Sequence, residues 1–211
     1  MILLNLTISF AVSFALLLIA MTVHEFAHGA VAYKLGDSTA RLSGRLTLNP
    51  LAHIDPFWTV LLPLVLFLST AGRFVFGAAK PVPVNYWSLK NPKRDMIWIG
   101  LAGPAANFIL AFMIAGVLRF IPAYGITGSL LFNLLTINVV LAVFNLIPIP
   151  PLDGSKILMG LLPAHLSELY AGVERYGFII LFVFIWLGMF DRLLWPLVAS
   201  VVRMLGVGFY A

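Results

Sequence analysis

The 211-residue chain contains no cysteine, which excludes disulfides and thiolate metal sites and leaves the redox compartment unreadable. Charge is scarce as well: Asp, Glu, Lys and Arg make up 10% of the residues, against about 25% in a soluble domain. From Met1 to Val23 there is no charged side chain at all. The N-terminus has no basic n-region and no short apolar core followed by a small-residue cleavage site, so it reads as a retained helix and not as a removed signal peptide. No internal repeat and no low-complexity tract is present. The formal net charge of +5 is small and dispersed, which argues against nucleic acid as a partner and fits juxtamembrane lysine and arginine.

What fills the chain instead is apolar: 62% of the residues are hydrophobic and the mean hydropathy is +1.04. The expectation is an integral membrane protein, mostly α, built as a polytopic helical bundle of about four to five spanning helices in one domain over 1–211, with the lipid bilayer as its solvent. A long helix over 3–34 should end near Gly36 and Asp37. Thr39 to Leu48 alternates apolar and polar residues, the period of a half-buried strand, and Arg73 to Asn85 reads as extended, with Pro81 and Pro83 limiting it to an edge. Together these predict a small β-hairpin or sheet. Between them Pro56 to Gly72 is an uncharged run. Further spanning helices are expected over 95–118 and 129–147, the second stopped by Pro148, Pro150 and Pro151. The C-terminal region 173–208 should hold a helix from Tyr176 to Phe190, a tight turn at Asp191 and Arg192, and a return from Leu193 to Val207.

At the end of the first apolar run stands His24-Glu25-Phe26-Ala27-His28. On a helix this spacing puts both imidazoles on one face, one turn apart, where two nitrogens can bind a single zinc. Glu25 is then placed to take a proton from a water held in an open coordination position, where the metal lowers the water's pKa to about 7. A solvated pair of histidines with a surface carboxylate is the plainer alternative. It fits poorly here, because Met1 to His24 extends about 34 Å, roughly the thickness of the hydrocarbon core. Each ionisable group at such depth costs about 2.5–3.5 kcal/mol on insertion scales.

Catalytic zinc needs a third protein ligand. Among the remaining carboxylates, Asp153 is released from a spanning helix by the break Asn145-Leu146-Ile147-Pro148-Ile149-Pro150-Pro151-Leu152-Asp153-Gly154. Broken helices at membrane depth are tolerated where backbone lines a cavity. Taken alone, the same Asp-Gly pair reads better as a helix-terminating turn.

Three ordered stretches, HEFAH, GPAAN (Gly103 to Asn107) and NLIPIPPLDG (Asn145 to Gly154), resemble the site-2 protease family of intramembrane zinc metalloproteases. GRLTLNPLAHIDP and AKPVPVN resemble its compact bacterial and archaeal branch, without PDZ or CBS domains, for which this chain has no room. The resemblance covers nearly all of residues 20 to 156. It implies a zinc-dependent intramembrane endopeptidase acting in regulated intramembrane proteolysis, with His24, His28 and Asp153 as ligands of one Zn2+ and Glu25 as general base. It also implies Asn107 and Asn145 as site-lining residues, Asn145 toward the substrate backbone. The partner implied is a membrane-protein substrate with a transmembrane segment. His53 is a candidate substrate-side or outer-shell residue, or a structural histidine.

If Pro56 to Gly72 crossed the membrane, His24 and Asp153 would end on opposite faces, so a shared zinc requires this run to be re-entrant. Re-entry also gathers Lys34, Arg41, Arg45, Arg73, Lys80, Lys90, Lys93, Arg94, Lys156 and Arg175 on one side, leaving Arg119 and Arg192 on the other. By the positive-inside rule the site then opens to the cytoplasm, with the small sheet, and the N-terminus lies outside. Segments near Thr39 to Leu48 and Phe74 to Val84 could hold an unwound substrate by strand addition through backbone donors. An ion or proton transporter using the same polar cluster is the alternative class.

Overall fold

A computed structural model of the protein describes residues 2–69, 77–121 and 125–207. Helix α1 (Ile2–Lys34) ends where expected: the Asp37 N–H bonds the Ala32 carbonyl, and Gly36 takes φ +111°, a left-handed conformation suited to glycine just past a helix end. A single helical turn, α2 (Thr39–Leu42), follows. Pro56–Leu61 is a wide π-helical turn that continues into α3 (Leu62–Ser69). The Asp55 carboxylate caps it, accepting from the N–H groups of Phe57 and Trp58 at 2.9 Å each.

Helix α4 (Pro92–Leu118) carries proline in its first turn, where the missing N–H costs nothing, and the Asp95 carboxylate reaches back to the Asn91 N–H. After α5 (Ile126–Asn145) the proline-rich turn leads to α6 (Asp153–Leu161), α7 (Ala164–Ala171) and α8 (Gly177–Trp186), and the described chain closes with α9 (Trp195–Met204). Helix α4 is the hub and packs against α1, α5 and α6. Ala111, Ile114 and Ala115 of α4, Leu135 and Val139 of α5 and Val198 and Val202 of α9 form the main apolar cluster.

Among the described residues, four helical stretches are long and apolar enough to cross a membrane: Thr7–Lys34, Pro92–Leu118, Ile126–Asn145 and Ala164–Trp186. Their outer faces leave large apolar side chains such as Phe112, Phe182 and Trp186 exposed, an arrangement that suits contact with lipid. The build is that of a polytopic membrane protein.

Two expectations are corrected. No β-strand occurs among the described residues, so there is no hairpin or sheet. The Asp37 carboxylate captures the N–H and hydroxyl of Thr39 at 2.9 and 2.5 Å and starts a helical turn, and Gly44 at φ +67° then bends the chain. Of the alternating leucines, Leu42 and Leu48 face outward, at 84% and 58% exposure, and only Leu46 turns toward α1, beside Gly29. Of the second stretch, 73–76 lie outside the described residues. The rest, 77–85, is an extended strap without a ladder, and Pro81 and Pro83 have no N–H to give one. Its donors go elsewhere: Ala78 to the Trp58 carbonyl (3.1 Å), Lys80 to the His53 carbonyl (2.9 Å), Val82 to Glu25 (2.7 Å) and Asn85 to Asp37 (2.7 Å). The turn expected at Asp191 and Arg192 falls earlier, at Gly188 (φ +70°), and those two residues sit inside a helical turn over Phe190–Leu194.

Candidate metal centre

His24 and His28 project from one face of α1, and Asp153 stands on the first residue of α6. All three are buried, at 6%, 5% and 4% exposure. The Asp153 Oδ2 lies 2.9 Å from His24 Nε2 and 3.0 Å from His28 Nε2, and the two nitrogens are 3.0 Å apart. In a tetrahedral site with bonds of about 2.0–2.1 Å the ligand atoms stand roughly 3.3 Å apart, so this triangle is close to the size that one zinc ion draws together.

The far ring nitrogens explain why a cation belongs there. His24 Nδ1 donates to Asn107 Oδ1 at 2.6 Å and His28 Nδ1 donates to the Ile99 carbonyl at 2.6 Å. With both Nδ1–H groups committed, each neutral imidazole turns a lone pair at Nε2 toward the other and toward the carboxylate. Three acceptors within 3 Å of one another repel unless a positive charge stands between them, and a metal ion satisfies all three at once. Among the described residues this is the one group of histidines and carboxylates found close enough to hold a metal.

Glycines make the approach possible. A Cβ at Gly103 would lie 2.5 Å from both Nε2 atoms, and one at Gly100 would lie 3.2 Å from the Asp153 carbonyl. Glycine at these two positions lets α4 lie directly against the rings and against the start of α6. The other Asp153 oxygen, Oδ1, accepts from Lys156 Nζ at 2.9 Å. Burial opposes ionisation of Asp153, and the Lys156 ammonium at Oδ1 favours it. Burial likewise opposes the Lys156 charge, and Asp153 outweighs it, raising that pKa.

The centre opens on a cavity of about 400 Å³ whose walls are mostly apolar, including Trp58, Leu141, Phe144 and Phe178. Trp58 and Phe178 stack at 5.6 Å, joining the turn before α3 to α8. Glu25 lines the same cavity, its Oε2 held by the Val82 N–H. Asn145 lines it too, its amide nitrogen donating to the Leu141 carbonyl at 2.9 Å. Asn107 is fully buried behind His24 and does not line the cavity. His53 stands apart from the centre: it is 1% exposed, with Nε2 donating to the Thr47 carbonyl.

Sequence reasoning overlooked Asn138. It is fully buried on α5 and accepts the Asn107 amide N–H at 2.6 Å. The signal was an amide in the middle of an uncharged run, where each polar group needs a partner. The carboxylate acceptors of the strap were also overlooked, because Glu25 and Asp37 are distant from it in sequence.

Apolar helices that meet around two imidazoles and a carboxylate, with a glutamate opening on the same cavity, define a metal-dependent hydrolase of the polytopic membrane class. The model of peptidase family M50 matches residues 12–133 and 121–188. YwhC of Bacillus subtilis, which carries the provisional name of a zinc metalloprotease, is 40% identical over 190 residues, 86% of this chain and 83% of that protein. Rip2 of Mycolicibacterium smegmatis, provisionally named in the same way, is 33% identical over 168 residues, 79% of this chain and 63% of its own length. The zinc metalloprotease MJ0392 of Methanocaldococcus jannaschii is 30% identical over 159 residues, 75% of this chain and 36% of its own length. The chain belongs to peptidase family M50, the site-2 protease family, and is a zinc metalloendopeptidase. No solved structure matches it significantly.

Proposed function

We propose that His24, His28 and Asp153 hold one catalytic zinc, that Glu25 is the general base, and that the enzyme cleaves transmembrane or membrane-proximal segments of membrane proteins. The observation that carries this reading is the 3 Å triangle of three acceptor atoms, drawn from residues far apart in sequence and buried at one end of α1. Zinc bound there supplies a Lewis acid for the scissile carbonyl and acidifies the attacking water. Glu25 takes the proton from that water and returns it to the leaving nitrogen. The Val82 N–H holds one carboxylate oxygen of Glu25 and so sets the direction of the other. Asn145, with its N–H given to Leu141, turns its amide oxygen to the N–H of an unwound substrate. Trp58 and Phe178 wall the cavity and offer apolar surface to the side chains of the substrate.

A substrate helix hides its peptide bonds in its own hydrogen bonds and must open locally before attack. The 77–85 strap lies along the cavity and offers an edge for the opened stretch, through its remaining carbonyls, since its alternate N–H groups are already used. The pairing of Ala78 with Trp58 brings the chain back beside the point where it left, which supports re-entry of the run from Pro56 into the bilayer. The basic residues then gather on the side of the centre, so the site faces the cytoplasm and the N-terminus lies outside.

The test is Glu25→Gln in the purified full-length chain, with a fluorescent single-span peptide carrying Gly-Pro in its apolar stretch as substrate. One zinc per chain with cleavage reduced at least about a hundredfold is expected. Undiminished cleavage would refute the role of Glu25, and ion flux through zinc-free protein would favour a transporter.

A further inference from the structure

We propose that Asn138 is a positioning residue of the metal centre: by accepting the Asn107 amide N–H it fixes which end of that amide meets His24, and so keeps the His24 Nε2 lone pair free for the metal. The proposal rests on the reading of His24 as a ligand.

An asparagine amide can turn either its oxygen or its nitrogen toward a neighbour. Facing His24 with oxygen, Asn107 accepts from Nδ1–H and leaves Nε2 as a lone pair. Facing His24 with nitrogen, it would instead donate to Nδ1, move the ring proton to Nε2 and block the metal. The choice is made on the far side of Asn107. Its Nδ2 donates to Asn138 Oδ1 at 2.6 Å and to the Ala20 carbonyl at 3.2 Å. The shorter of these bonds depends on Asn138, whose own orientation is set by Nδ2 donating to the Leu134 carbonyl at 2.8 Å. Reversing either amide would set oxygen against oxygen at 0% exposure, where an unpaired polar group costs most.

The result is one directed chain across three helices. It runs from the Leu134 carbonyl through Asn138 of α5 and Asn107 of α4 to the His24 ring of α1, every donor pointing away from the metal position. Helix-to-helix adhesion alone would need these polar groups to be paired but would not need the chain to have a direction. Direction matters only at His24, the one member with two tautomers.

The experiment uses the full-length protein in detergent with 15N-labelled histidine. The His24 tautomer is read by NMR on metal-free protein at a pH where the ring is neutral, and zinc affinity by competition with a chelator. Wild type should show the Nδ1–H form. Asn138→Leu should show a mixture of both forms and bind zinc about ten- to a hundredfold more weakly, the usual cost of losing a partner behind a ligand. Asn138→Ala gives the same readings should the leucine variant fail to fold. Wild-type tautomer and affinity in the Asn138 variants would overturn the proposal. If wild-type protein binds no zinc, the ligand reading fails, while the tautomer of metal-free protein still decides the role of Asn138.

Discussion

Gly103 sits in the middle of α4, where replacement by alanine ordinarily stabilises a helix by about 1 kcal/mol. Here the added Cβ would stand 2.5 Å from His24 Nε2, His24 Cε1 and His28 Nε2. Non-bonded contacts of carbon settle near about 3.5 Å, so the rings or the helix must retreat by roughly 1 Å, about five times the 0.2 Å tolerance of metal–ligand distances. Neither ring can slide away freely, since each is tied through Nδ1. Gly103→Ala should therefore fold, gain nothing in stability and hold less than about a tenth of the wild-type zinc after dialysis. Gly116 on the same helix is the control, because a Cβ there meets nothing within 4 Å. Gly116→Ala should keep all its zinc and raise Tm by about 2–4 °C. Elemental mass spectrometry and thermal unfolding of the two proteins side by side are sufficient. A Gly103→Ala protein with one tightly held zinc would refute the reasoning.

Further outcomes follow from the neighbours of the centre. Lys156→Met frees Asp153 Oδ1 and should weaken zinc binding by about tenfold, read by chelator competition; unchanged affinity would make the lysine incidental. Gly154→Ala should lose zinc as well, since its Cβ would strike the Leu146 carbonyl and lie 2.5 Å from the Ile147 carbonyl oxygen, pushing α6 away; zinc analysis checks it. Burial alone would raise the Asp37 pKa, but the hydroxyl and N–H of Thr39 and the N–H of Asn85 outweigh it, so the folded value lies below the ordinary one. Its stabilising contribution is then complete above about pH 4 and lost as pH falls through the depressed folded value. Thermal scans in acid should show wild type losing stability more steeply than Asp37→Asn, and parallel curves would count against the role given to Asp37.

The long helices and the shared face of His24 and His28 were legible because each is written locally. Unbroken apolar runs set the long helices, Gly36 marks a boundary, and the i, i+4 histidines need only a helix to share a face. The strap was misread because alternation records chemistry and not pairing: prolines at 81 and 83 and carboxylates supplied by Glu25 and Asp37 turn a strand-like pattern into a braced loop. The turn near Asp191 was misplaced for a similar reason, charge being a weaker stop than the positive φ of Gly188. Asn138 was invisible because its meaning lies in a contact between residues 31 apart in sequence, which periodicity does not report. Asn107 was expected at the cavity and stands behind His24 instead, a distinction that depends on which face of α4 meets α1.

X-ray absorption at the zinc edge of the purified full-length protein reads the central claim most directly. Two imidazole nitrogens and one carboxylate oxygen at about 2.0–2.1 Å, with one further light atom, are expected, and the imidazole signal should fall in His24→Ala. A zinc without imidazole scattering, or one unchanged by that substitution, would contradict the account.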